Sequence, residues 1–198
     1  MSKSNETVDR IQAVWNILGG DDGADALIRG DFVVRLPDRI YTARKAIKLG
    51  TFKKVNEIRK ALKTGRTPIS DRANGILSNS DFSLSKNEES VDLVEVSNRE
   101  LGFNDGACYL ETCKRAYGHG LKFCPNEVGP QWCLQFKDQP NGTSVVVGMR
   151  VVEVSDDRVS VFVVRCDSDG EKFLDADEGG DDSFYGASVR FLFLRPKN

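Results

Sequence analysis

The spacing of apolar residues in the first part of the chain is typical of short amphipathic helices. Apolar side chains recur there at three- and four-residue steps, as they do on one face of a helix. Four such stretches occur, over residues 5–18, 23–29, 52–64 and 69–77. Gly19, Gly30 and Gly65 follow three of them and predict their ends. A brief strand or extended link is predicted at 32–37, and the polar, serine-rich segment 79–90 predicts a long loop or linker.

Beyond residue 90 the pattern changes toward a period of two, which is typical of strands. A first strand is predicted at 91–97, and a helix follows over 106–118. Further strands, separated by turn-forming residues, are predicted at 132–136, 144–154, 159–165 and 189–194. A strand and a helix followed by antiparallel strands indicate the α+β class. We therefore predict two parts, a helical region over 1–88 and an α+β domain over 89–198.

Composition narrows the class of protein. Hydrophobic residues make up 39% of the chain and charged residues 29%, as in soluble globular proteins. No apolar run approaches the roughly 20 residues that a membrane span needs. The first ten residues lack the basic and apolar regions of a signal peptide. We expect a cytoplasmic protein with no membrane partner.

Charge is unevenly distributed although the net charge is only −2. Residues 31–72 hold 12 Lys and Arg against 4 Asp and Glu, whereas residues 150–198 hold 7 against 11. The basic segment suits a phosphate backbone or an acidic partner, and its two short helices have the layout of a helix-turn-helix unit. The alternative is an ordinary solvated helix face. A nucleic-acid-associated regulatory protein that uses the basic 44–72 region is therefore the second functional hypothesis.

The cysteines and the single histidine indicate little chemistry. Four residues of zinc-binding type are close in sequence: Cys108, Cys113, His119 and Cys124. Their gaps of four, five and four residues match no common zinc module. A hydrolase would need Cys113 or Cys124 beside His119, and the spacing does not require that geometry. We expect free thiols in a reducing compartment, no metal site, no catalytic residues and no enzymatic activity.

The most unusual composition is in residues 167–182, where eight of sixteen residues are acidic. An EF-hand register through Asp167 and Asp169 puts Arg165 at the first ligand position. The same register puts Ala176 at the twelfth position, which needs a bidentate glutamate, so this motif is excluded. An irregular calcium site stays possible, and the alternative is a solvated acidic loop. We expect no cofactor other than this calcium alternative.

Between Phe162 and Phe191, apolar anchors alternate with small polar residues and tyrosine; the anchors are Phe162, Phe173, Leu174 and Phe184. Loops of this composition suit adaptable recognition when a rigid scaffold holds them. The scaffold candidates are Phe162, Phe173, Phe191 and Phe193. The predicted ligand-contacting residues are Val164, Cys166, Ser168, Lys172, Asp175, Asp177, Asp181, Ser183, Tyr185, Ala187 and Ser188. The predicted binding face is therefore the loop region 163–188, and an unknown protein ligand is favoured.

Three stretches resemble a group of poorly characterised bacterial proteins. They are ELGFNDGA at 100–107, GLKFCPNEVGPQWCLQFKDQPNG at 120–142 and VVVGMRVVEV at 145–154. The group pattern runs LGFxxGA, then LCPxEVGP, then DQPxG, and the match is most specific over 120–142. The chain departs from the pattern at 132–133, where the group has Leu-Arg, and at 148–151.

Members of that group differ most in their C-terminal part, and in this they are similar to the variable proteins of diversity-generating retroelements. The resemblance implies a C-type-lectin-like fold that displays diversified side chains on C-terminal loops. It also implies that Cys124 is structural. The first functional hypothesis is thus a ligand-binding variable protein with no catalytic residues.

Overall fold

The protein is described by a computed structural model that covers residues 44–154 and 158–195. These residues belong to one compact unit. The elements predicted at 5–18, 23–29 and 32–37 lie outside the described residues.

The described part of the chain contains four helices and nine strands. The helices are α1 (Val55–Thr64), α2 (Asp71–Ser78), α3 (Tyr109–Gly118) and α4 (Val128–Gln135). The strands are β1 (Arg44–Leu49), β2 (Glu89–Ser97), β3 (Ala107–Cys108), β4 (Thr143–Val147), β5 (Val152–Val154), β6 (Arg158–Cys166), β7 (Lys172–Glu178), β8 (Phe184–Tyr185) and β9 (Arg190–Leu194). Helices combined with mostly antiparallel strands confirm the predicted α+β class.

Seven strands form one sheet. Its order is β1-β2-β9-β4-β6, with β7 on the far edge of β6 and β5 pairing β6 on the same side as β4. Only the β4–β9 pair is parallel among these strands. As expected, the last strand pairs back into the sheet, between β2 and β4. The short strands β3 and β8 form a separate antiparallel ladder.

Strand β6 is buried on both of its faces, which explains its nearly continuous apolar sequence. Phe162 and Val164 point to the face covered by α2 and α4, here called the α4 face. Val161 and Val163 point to the opposite face, where the ring of Tyr109 from α3 packs on Phe191 at 6.4 Å; we call it the α3 face.

The two basic helices predicted at 52–64 and 69–77 are confirmed as α1 and α2. Each buries the apolar stripe that predicted it, with Ile58 and Leu62 in α1 and Ile76 in α2 fully buried. Ser70 caps α2 by accepting a hydrogen bond from the Ala73 amide at 3.2 Å. Both helices share one apolar core with the sheet, and the predicted domain limit after residue 88 falls between the paired strands β1 and β2.

The strand predicted at 132–136 is wrong, because these residues belong to α4 and to its C-cap, Phe136. Helix α4 packs against α1, β1, β6 and β7, and six of its eight residues are buried. A short apolar run that is buried on several sides has the same sequence pattern in a helix as in a strand. The contacts of α4 therefore decided its structure, not its periodicity.

The strand predicted at 144–154 is interrupted. It divides into β4 and β5, which pair with different parts of β6. The break begins at Gly148, where an added β-carbon would lie 2.2 Å from the Phe193 ring. The close approach of this ring to the backbone requires glycine at the bend.

Candidate binding site

Three of the predicted contact residues do not reach the surface. Val164 and Cys166 lie in β6, on the α4 face, and both side chains are buried. Tyr185 is also buried, at 8% exposure, because it packs under the loop that carries it. These three assignments are therefore wrong: a side chain enclosed by the core cannot contact a ligand directly.

The other predicted contact residues are partly or fully exposed: Ser168, Lys172, Asp175, Asp177, Asp181, Ser183, Ala187 and Ser188. They do not form one surface. Ser168 precedes β7 and Asp181 follows it, and a seven-residue strand is roughly 20 Å long. Lys172 points to the α4 face, where its ammonium group donates a hydrogen bond to the Phe136 carbonyl.

A charged cluster does form on the α3 face of β6 and β7. The Arg165 guanidinium donates to Asp175 at 2.7 Å and to Asp177 at 2.8 Å, and all three side chains are partly exposed. Burial raises the pKa of Asp175, but the hydrogen bonds from Arg165 and Ser70 outweigh this effect, so its pKa lies below the usual range. The cluster carries one net negative charge on an outward-facing strand pair.

The acidic segment 167–182 was predicted to be either an irregular calcium site or a solvated loop. Most of its central part is instead strand β7. In β7 the buried residues Leu174 and Ala176 alternate with the outward residues Phe173, Asp175 and Asp177. The prediction of Phe173 as a scaffold residue is therefore wrong, since its side chain is on the outward face of β7. No group of three or more metal-ligating side chains is positioned to hold an ion within residues 44–154 and 158–195.

The turn before β7 is built by one of the acidic residues. The Asp167 carboxylate accepts hydrogen bonds from the amides of Asp169 at 3.0 Å and Glu171 at 2.8 Å. Gly170 adopts φ +84°, a left-handed conformation that glycine takes without strain. Asp167 therefore satisfies backbone donors in the hairpin turn.

The loop after β7 presents an aromatic residue that the sequence did not indicate as a contact residue. Phe184 is 63% exposed, whereas its neighbour Tyr185 turns inward and packs edge-on against Phe191 at 5.3 Å. The Tyr185 hydroxyl donates to the Glu178 carbonyl at 2.5 Å. Burial, followed by the negative charge of Asp177, raises the pKa of Tyr185. Tyr185 thus joins this loop to the C-terminal end of β7, whereas the Phe184 ring is on the solvent side of the loop.

The motif at 120–142 carries a fully buried carboxyl group. Glu127 is 0% exposed and accepts hydrogen bonds from the amides of Gly50 and Ser85, each at 2.8 Å. The Gln131 amide group donates to the same side chain at 2.8 Å. Gly50 has φ +69°, and a β-carbon there would lie 2.1 Å from the Asn87 carbonyl oxygen. Glu127 therefore fastens two loops to α4, which is a structural role.

The same motif holds the C-terminal part of the chain at three points. The Gln139 amide group donates to the Val164 carbonyl at 3.1 Å, and the Cys124 thiol donates to the Leu192 carbonyl at 3.4 Å. At Gly129 an added β-carbon would lie 2.7 Å from the Phe162 ring, so α4 and β6 approach closely there. These three motif residues are buried, and they fix β6 and β9.

Burial makes the candidate nucleophiles poorly reactive. It raises the pKa of the Cys113 thiol to about 12 and that of Cys124 further. Because the thiolate is the reactive form, thiols with such pKa values are weak nucleophiles at neutral pH. All five cysteines are free.

None of the helices within the described ranges has the length and apolarity to cross a membrane. Comparisons of the chain with protein-family models, with curated proteins and with solved structures found no match.

Proposed function

We propose that this protein is a ligand-binding protein whose contact surface is the outer side of β7 and the loop that follows it. The residues of this outer surface are Arg165, Phe173, Asp175, Asp177, Asp181, Phe184 and Ser188. The observation that carries the proposal is the alternation of side chains along β7. Leu174 and Ala176 pack into the core, while their neighbours face outward. Outward residues can be exchanged without a change in the core.

The ligand that this surface suits best is a protein. Phe184 is a large exposed aromatic side chain, and such residues dominate the binding energy of protein interfaces. Arg165 adds a guanidinium group that is already held in place by two carboxylates. A surface that is already held in place by a paired strand loses less conformational entropy on binding than a flexible loop does.

We further propose that the protein is the variable protein of a diversity-generating retroelement, with a C-type-lectin-like domain. This rests on the resemblance of residues 100–154 and on the scaffold role of the motif residues. Gln139, Gly129 and Cys124 contact β6 and β9, the strands between which the segment that would vary lies. A surface that tolerates substitution needs such a fixed support.

The direct test is deep sequencing of the 3′ end of the gene in its native population, together with a search for a nearby template copy. Substitutions should fall at template adenines and in codons of outward residues such as Asp175, Asp177 and Phe184. Codons of Leu174, Ala176 and Tyr185 should be constant. A uniform population without a template copy would exclude the retroelement.

The binding surface has a separate physical test. A variant with Phe173, Asp175, Asp177 and Phe184 all replaced by serine should unfold at nearly the wild-type urea concentration. Partly exposed ion pairs contribute little to stability, which is why their loss should be tolerated. The matched control replaces Leu174 and Ala176 by serine and should unfold much earlier. An equal loss of stability to urea in both variants would contradict the proposed separation of core residues from surface residues in β7.

A further inference from the structure

A second surface, on α1 and the loop after it, has a chemistry of its own. Residues 53–66 contain six Lys and Arg and a single acidic residue, Glu57. The Glu57 carboxylate accepts hydrogen bonds from the amides of Lys53 and Lys54, at 2.9 and 3.2 Å, so it serves the start of the helix. The six cations form no ion pair with any residue in the described part of the chain. Several basic residues elsewhere do form such pairs: Lys45, Lys48, Arg72, Arg165 and Arg190.

At the C-terminal end of α1 these cations surround a groove of about 450 Å³. It is lined by Arg59, Lys63, Arg66, Thr67, Pro68 and Ile69. Arg59 is held in place by neutral partners, since it donates to Asn74 at 2.9 Å and to Ser78 at 2.7 Å. Its charge is therefore positioned without being neutralised, and Lys63 and Arg66 are exposed beside it.

The backbone at Arg66 gives an independent indication of function. The Thr67 amide bonds the Leu62 carbonyl at 2.9 Å and the Arg66 amide bonds the Lys63 carbonyl at 3.1 Å, which is a Schellman ending for α1. This ending places Arg66 at φ 54°, the left-handed position that glycine usually occupies. Arg66 is the only residue other than glycine with positive φ in the described ranges. A strained position that keeps a charged side chain points to a role for that side chain.

We propose that this basic groove binds the phosphate backbone of a nucleic acid. Protein interfaces have cores rich in aromatic residues and poor in lysine. None of the exposed large apolar residues of the described part, which are Tyr117, Phe123, Val151 and Phe184, belongs to the groove. Protein–DNA interfaces are strongly positive, as this surface is. The C-terminal end of a helix carries roughly half a negative charge. The three positive charges of Arg59, Lys63 and Arg66 outweigh it at the end of α1.

The test is binding of the full chain to a fluorescent DNA duplex of mixed sequence at increasing salt. If Arg59, Lys63 and Arg66 contact three phosphates, the slope of log affinity against log salt is about −2.7. Affinity then falls roughly 40-fold between about 50 and 200 mM salt. Changing Arg59→Gln, Lys63→Gln and Arg66→Asn together should weaken binding at low salt at least tenfold and flatten the slope.

The matched control removes three exposed positive charges elsewhere, by Lys114→Gln, Lys122→Gln and Lys137→Gln. It should change the affinity less than twofold, because the groove is intact. Equal losses in both triple variants would overturn the proposal, since binding would then follow net charge alone. Absence of DNA binding at low salt would also overturn it, as would tighter binding of poly-glutamate than of DNA. Circular dichroism of each variant establishes that it is folded.

Discussion

Phe184 and Tyr185 are consecutive residues of β8 that face opposite directions. Tyr185 packs on Phe191 and bonds the Glu178 carbonyl, whereas Phe184 projects into solvent. The sequence predicted the reverse, with Tyr185 as a contact residue and Phe184 among the apolar anchors. The direction of each side chain depends on the pairing of β8 with β3. This pairing is a two-residue antiparallel ladder between strands that are far apart in the sequence.

We expect this pair of aromatic residues to separate binding from stability. Phe184→Ala should change the free energy of unfolding by less than about 1 kcal/mol, since the ring is mostly exposed. Tyr185→Ala should cost about 3–5 kcal/mol, because it removes a buried ring. Urea unfolding measures both values. A cost for Phe184→Ala as large as that for Tyr185→Ala would show that Phe184 is a core residue.

Glu127 should be among the residues on which the fold depends most. In Glu127→Gln one carboxylate oxygen becomes an amide nitrogen, which cannot accept the hydrogen bond from Gly50 or Ser85. A buried donor left without a partner costs about 1–3 kcal/mol, and two facing donors cost more. The control is Glu171→Gln, at an exposed position, with an expected change of less than about 0.5 kcal/mol. Similar unfolding midpoints for the two variants would refute the structural role of Glu127.

Arg66→Gly should stabilise the protein while it weakens nucleic-acid binding. Glycine adopts φ 54° without the β-carbon clash, and the gain, after the entropy of the unfolded chain is subtracted, is about 0.5–1 kcal/mol. Thermal unfolding measures this gain. As a control, Lys63→Gly in the last turn of α1 should cost about 1 kcal/mol, since the backbone there is helical. A destabilised Arg66→Gly variant would mean that the Arg66 side chain is needed for folding.

Stability in acid should depend on Glu95. Its carboxylate accepts hydrogen bonds from Lys45 at 2.8 Å and Arg190 at 2.5 Å. Burial raises the pKa of Glu95, but these two cations outweigh it and leave the pKa below the ordinary value of 4.5. A lowered pKa in the folded state means that the contribution is complete above about pH 4.5 and is lost as the pH falls through the folded pKa.

Glu95→Gln should therefore cost about 1–2 kcal/mol at pH 7 and less at pH 3. Urea unfolding at both pH values measures the difference. Glu89→Gln, on the same strand and exposed, should show no such pH dependence. An equal cost of Glu95→Gln at the two pH values would mean that packing, not charge, accounts for its effect.

The sequence by itself determined the amphipathic elements, which bury an apolar face and expose the opposite face to solvent. Helix α1 follows this pattern, because its buried residues are the apolar Ile58 and Leu62. Strand β2 was predicted from its apolar residues, and the consecutive residues Leu93 and Val94 are buried on opposite faces of it. The α+β class follows from the order of these elements. The role of residues 120–142 as a scaffold required the contacts of Glu127 and Gln139 in the fold.

The tertiary structure decided the segments that are buried on several sides or that pair across charge. Helix α4 was predicted in part as a strand, because a run buried against four elements has no polar face to reveal its period. Strand β7 has alternating Leu174 and Ala176, but its aspartates favour a loop by propensity. Arg165 from β6 forms ion pairs with both aspartates in the fold and offsets one of their two charges. The surface that we propose for binding exists only because this pairing occurs, and no local pattern encodes which partner a strand will meet.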